Sequence, residues 1–82
     1  MLRIPQRVSL PFGYHVTVKQ VDDTVMNELA SDADGYWNVG TRTILIRKRL
    51  PLKRRVYLLL HELQHALLDC THEHMDSSDA KP

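Results

Sequence analysis

Residues 52–70 read LKRRVYLLLHELQHALLDC, and the reading of this stretch decides the fold. At about 100° per residue on an α-helix, Val56, Leu59, Leu60, Leu63, Ala66, Leu67 and Cys70 gather within roughly 60° of a line opposite His61. Such a stripe predicts a helix that buries this side against a core. Pro51 sits just before it, where a missing N–H costs a helix nothing. The opposite side holds Arg54, Tyr57, Leu58, His61, His65, Leu68 and Asp69. Leu58 and Leu68 flank the histidines, so this side is expected to be partly covered as well.

Within the helix, residues 61–65 read HELQH. Positions i and i+4 lie one turn apart and about 40° apart in azimuth. Two imidazoles so placed converge on one metal ion, and neutral imidazole nitrogen suits Zn²⁺. Glu62 is rotated about 100° from His61. It is poorly aimed at the same ion but stands beside it, where it can take a proton from a metal-activated water and pass it to a leaving amine. The plain alternative is a pair of surface histidines on an amphipathic helix.

A catalytic zinc site normally has three protein ligands and an open position. Asp69 lies about 12 Å along the helix from His61. It reads as a partner that orients His65, or as a plain carboxylate near the helix end. His72, Glu73, His74 and Asp76 follow. A turn after Cys70 could bring one of them back, with His72 and His74 favoured by ligand type. A solvated tail is the competing reading, and a flexible tail from about residue 75 is expected.

Upstream, residues 14–21 alternate Tyr14, Val16 and Val18 with His15, Thr17 and Lys19, which predicts a half-buried strand. Asp22 and Asp23 offer a helix N-cap. Val25, Met26 and Leu29 then mark a short helix that fails in the turn cluster at residues 31–35. Residues 36–39 and 41–47 read as two short strands joined through Asn38 and Gly40, residues that accept left-handed conformations. Ile44 and Ile46 share one face; Thr43, Leu45 and Arg47 share the other. His15 reads as a strand-surface histidine, with oxyanion stabilisation as its functional alternative. Tyr57 reads as a packing residue, Trp37 as a core anchor and Cys70 as an inert core thiol.

The whole chain, 82 residues with 43% hydrophobic and 26% charged side chains, has room for one small domain and the composition of a globular one. A domain this small is marginally stable, so a bound metal would support the fold as well as any chemistry. One cysteine excludes an intrachain disulfide framework. No stretch approaches a membrane span, and the first ten residues lack the apolar core of a signal peptide. The default is an intracellular, cytoplasmic protein with no membrane partner. Residues 47–55 read RKRLPLKRR, six cations in nine positions. Such a cluster can neutralise phosphates, but no aromatic residue interleaves it, and a solvated connection is the preferred reading; nucleic acid is not an expected partner.

The run YWNVGTRTILI, a charged loop with Pro51, and then YLLLHELQHALLD resemble the zincin metallopeptidases. The nearest likeness is to ImmA/IrrE-type domains and very small gluzincin-like proteins. It covers roughly residues 35–69, with a fainter likeness in PFGYHVTVKQV. The resemblance implies an α+β fold of minimal zincin type: a small antiparallel sheet of about three strands packed on the HExxH helix. It implies His61 and His65 as zinc ligands, Glu62 as general base, and a protein or peptide substrate. It also implies that the strand over residues 43–48 is the edge that receives an extended peptide. In those families the third ligand is usually a glutamate on a later helix, and the only later glutamate here is Glu73. The expected function is zinc-dependent peptide hydrolysis. The alternative is a non-catalytic, zinc-stabilised binding module.

Overall fold

The computed structural model describes residues 3–79, with side chains up to His72. The chain runs β1 (Arg7–Ser9), a single 3₁₀ turn at Pro11–Gly13, β2 (His15–Val21), α1 (Asp23–Ala30), β3 (Gly35–Asn38), β4 (Thr43–Arg47) and α2 (Leu52–Asp79). The class is α+β, as the sequence predicts. The sheet has four strands rather than about three, in the order β1-β2-β4-β3. It is mixed rather than antiparallel: β2 and β4 run parallel, while β1–β2 and β3–β4 are antiparallel pairs.

The parallel pair follows from the path of the chain. After β2, α1 crosses over and β3 is laid down on the outside; β4 then folds back between β3 and β2. Two strands pointing the same way need such a crossover, since no tight hairpin can join them. The β3–β4 turn is held by the Asn38 side chain, whose Oδ1 accepts from the backbone N–H of Gly40 at 3.0 Å and of Thr41 at 3.2 Å. The left-handed residue in this turn is Arg42, at φ 50°, not Asn38 or Gly40. Its guanidinium lies 4.6 Å from the centre of the Tyr14 ring.

One face of the sheet carries the core. Val16, Val18, Ile44 and Ile46 point to it and pack on Leu58, Leu59 and Ala66 of α2. The register pairs Val18 with Ile44, so the apolar side chains of β2 and β4 stand side by side. The opposite face of β4 belongs to α1. There Arg47, only 4% exposed, donates to Asp23 at 3.0 Å, to Asn27 at 3.1 Å and to the carbonyl of Ala33 at 2.7 Å. Its Nε also lies 3.2 Å from Asp34. One buried guanidinium thus ties β4 to α1 and to the loop after it. Asp22 takes the N-cap position of α1 but makes no capping hydrogen bond; its carboxylate pairs with Lys48 at 2.9 Å instead. Met26 is the buried residue of α1, while Val25 and Leu29 are exposed.

Helix α2 departs from expectation in two ways. It is longer than residues 52–70, running unbroken through Asp79. No turn follows Cys70. The expected tail from about residue 75 falls beyond the described side chains, and residues 80–82 lie outside the described residues. Second, its buried stripe is Leu58, Leu59, Glu62, Ala66 and Cys70, whereas Leu60 and Leu67 are exposed. The helix is rotated toward Glu62 relative to the predicted orientation. The run VYLLL is apolar nearly all round, so its pattern fixes the azimuth weakly; in the fold Leu58, Leu59 and Ala66 take the core positions. No helix among the described residues is long and apolar enough to cross a membrane.

Candidate metal centre on helix α2

His61 and His65 both lie on the exposed side of α2. Their ring centroids are 5.0 Å apart and the rings are nearly perpendicular, at 79°. Two imidazoles bound to one tetrahedral ion through bonds of about 2 Å have centroids about 5 Å apart. The pair therefore fits a shared zinc with little rearrangement. Tyr57, one turn earlier, stacks on His61 with centroids 6.3 Å apart, and the Arg54 guanidinium lies 5.4 Å from the Tyr57 ring centre. Tyr57 is thus an exposed ring packed against a histidine.

Glu62 is only 8% exposed. It lies beneath β3: a Cβ placed on Gly35 would stand 3.3 Å from Glu62 Oε2 and 3.4 Å from its Cγ. The absence of a side chain at residue 35 makes room for this carboxyl. Sequence reasoning placed Glu62 beside the histidines but missed its burial. A glycine heading a strand near an HExxH helix is the only signal that could have indicated it.

Asp69 does not orient His65. Its Oδ2 accepts the Trp37 indole N–H at 2.6 Å, which pins β3 to α2 two residues along the strand from Gly35. Cys70 is buried, as expected of a core thiol. His15 is exposed and bonds Ser9 across the β1–β2 pair at 3.2 Å. Its neighbour Val16 faces α2, so strand alternation turns His15 to the other face of the sheet, away from the histidine pair.

The third ligand is not found among the described residues: no group of three His, Cys, Asp or Glu side chains is poised to hold a metal. The unbroken helix explains this for the expected set. It carries His72 about 16 Å along the axis from His61, and Glu73 and His74 farther still; the side chains of the last two lie outside the described residues.

The strand over residues 43–48 cannot be the receiving edge. β4 is interior, paired to β2 on one side and to β3 on the other, so its backbone groups are already used. The edges are β1 and β3, and β3 is the one that lies over α2 beside Glu62. The basic run is largely engaged by acids: Arg47 with Asp23 and Asp34, Lys48 with Asp22, Arg49 with Asp23 at 2.8 Å, and Arg54 with Asp34 at 3.8 Å. The hydrogen bond from Arg47, followed by the influence of Arg49, holds the Asp23 carboxyl below the usual carboxylate range.

Residues 13–81 match the Peptidase_M78 family, the IrrE N-terminal-like domain. The chain belongs to this family. The match takes in every element from β2 onward and the whole HELQH segment. No curated protein and no solved structure matches the chain.

Proposed function

We propose that this member of the IrrE N-terminal-like family is a zinc-dependent peptidase domain in which His61 and His65 hold the metal and Glu62 is the general base. The observation that carries the reading is the exposed ring pair at 5.0 Å, one residue from a glutamate that is 8% exposed and seated under Gly35. When bound, zinc would polarise a peptide carbonyl and lower the pKa of water to about 7. Glu62 accepts the proton of the attacking water at a carboxylate oxygen and delivers it to the departing amine. Its seat under Gly35 limits its rotamers and holds it next to the edge strand. An extended peptide adding to the free side of β3 would bring its carbonyls past this carboxylate, with main-chain hydrogen bonds supplying register.

Glu62→Gln tests the reading. It keeps the shape and removes the base, so the variant is expected to retain zinc while losing peptide hydrolysis by about 10²-fold or more. Metal content and cleavage of a casein-type substrate measure the two effects. Undiminished cleavage would reject Glu62 as the base. The second reading, a non-catalytic zinc-stabilised module, is favoured by the lack of a third ligand among the described residues. It expects zinc binding with no hydrolysis in the unmodified chain.

A further inference from the structure

We propose that a second copy of this chain completes the metal site, two α2 helices packing antiparallel so that His61 and His65 of each copy share one zinc. The inference rests on the zinc reading of the histidine pair and goes beyond it. Three observations lead to it.

The first is that no third ligand stands beside the pair among the described residues. α2 stays helical through and beyond His72, which carries His72 away from the pair. Asp22, Asp23 and Asp34 pair with Lys48, Arg49 and Arg47, and Asp69 is bound to Trp37.

The second is the surface around the pair. Tyr57, Leu60 and Leu68 are 57%, 57% and 60% exposed, within one turn of His61 or His65 along the helix. Exposed apolar groups ringing a metal pair make a surface that gains from being covered. A twofold contact puts the same surface on both sides, so a single set of residues supplies all four imidazoles.

The third is charge. Residue 63 is midway between His61 and His65. Antiparallel packing about that point sets His61 of one copy level with His65 of the other. It also sets Lys53 level with Glu73, and Arg54 within a turn of Asp69 and Glu73. The N-terminal half of α2 is basic (Lys53, Arg54, Arg55) and the C-terminal half acidic (Asp69, Glu73, Asp76, Asp79). Antiparallel packing therefore places opposite charges together at both ends, whereas parallel packing would oppose like charges. Four imidazoles satisfy a tetrahedral ion and leave no open position. The dimer is accordingly the closed, non-hydrolytic state of the same site.

The test is the molar mass of the full chain by sedimentation equilibrium, with bound zinc measured in the same samples. The expected result is a monomer in chelator and a doubling of mass on adding zinc, saturating at one zinc per two chains. The double substitution Leu60→Glu with Leu68→Glu alters only exposed positions; it is expected to keep circular dichroism and zinc binding but remain monomeric. His65→Ala is expected to abolish the zinc-dependent doubling. A monomer holding one zinc per chain would overturn the shared site and leave the histidine pair as a metal site. Absence of bound zinc would overturn the zinc reading and the inference together. A dimer that persists unchanged in chelator would show that the metal is not the bridge.

Discussion

Gly35 and Glu62 form the pairing on which the proposed chemistry depends. A methyl group at residue 35 would crowd the Glu62 carboxyl at 3.3 Å and meet Leu58 Cβ at an ordinary contact distance of 3.6 Å. Gly35→Ala is expected to cost about 1–2 kcal/mol of stability, in the range of modest overpacking, and to lower hydrolysis more than zinc affinity. A urea midpoint together with a zinc titration separates the two effects. The histidine pair was legible in the sequence because i, i+4 spacing needs only a helix to bring two rings together. The seat of Glu62 was not legible. It depends on which residue of a distant strand lies above the helix, and local periodicity carries no information about that. For the same reason Asp69, one turn after His65, invited a pairing with that ring, when its actual partner is an indole 32 residues away in sequence.

The elements themselves were largely foreseen, and their order in the sheet was not. The hairpin of β3 and β4 can dock either strand against β2, and turn chemistry cannot choose between them. A usable signal was present in β4. Ile44, Leu45, Ile46 and Arg47 are all buried, and an apolar run without alternation marks a strand covered on both faces. Arg47 is the cap of that run. Arg47→Ala is expected to cost about 2 kcal/mol, since several hydrogen bonds to a charged donor are lost together, and to loosen α1 first. Hydrogen exchange resolved by residue would show α1 amides losing protection ahead of β2. The same contact predicts an acid dependence. Asp23 has its folded pKa depressed by Arg47 and Arg49. Its contribution is therefore fully present above the ordinary carboxylate pKa and is lost as pH falls through that range and below. Asp23→Asn should flatten the acid limb of a stability–pH curve; an unchanged limb would count against this contact.

At the scale of the molecule, a chain of 82 residues has a core on one face of its sheet and a long helix whose outer side keeps several leucines exposed. Such a domain has little stability to spare, and zinc binding should be visible as stabilisation. At a hundredfold excess over the dissociation constant, a ligand that binds only the folded state adds about 2.7 kcal/mol. That is a rise of many degrees in Tm for a domain of this size. The rise is expected for the unmodified chain and for Glu62→Gln, and should vanish in His61→Ala. The α+β class follows from length and pattern. The rotation of α2 and its continuation to Asp79 do not, because VYLLL permits several azimuths and the segment after Cys70 carries no apolar stripe to extend.

The bond from Trp37 to Asp69 offers an optical handle on all of this. The chain has one tryptophan, and its indole is fastened to the same helix that carries both histidines. Its emission therefore comes from a single reporter located where strand meets helix. If that helix moves relative to β3, whether from metal uptake, a peptide settling on the strand or a second chain arriving, the colour and yield of the fluorescence should move with it, without any added dye.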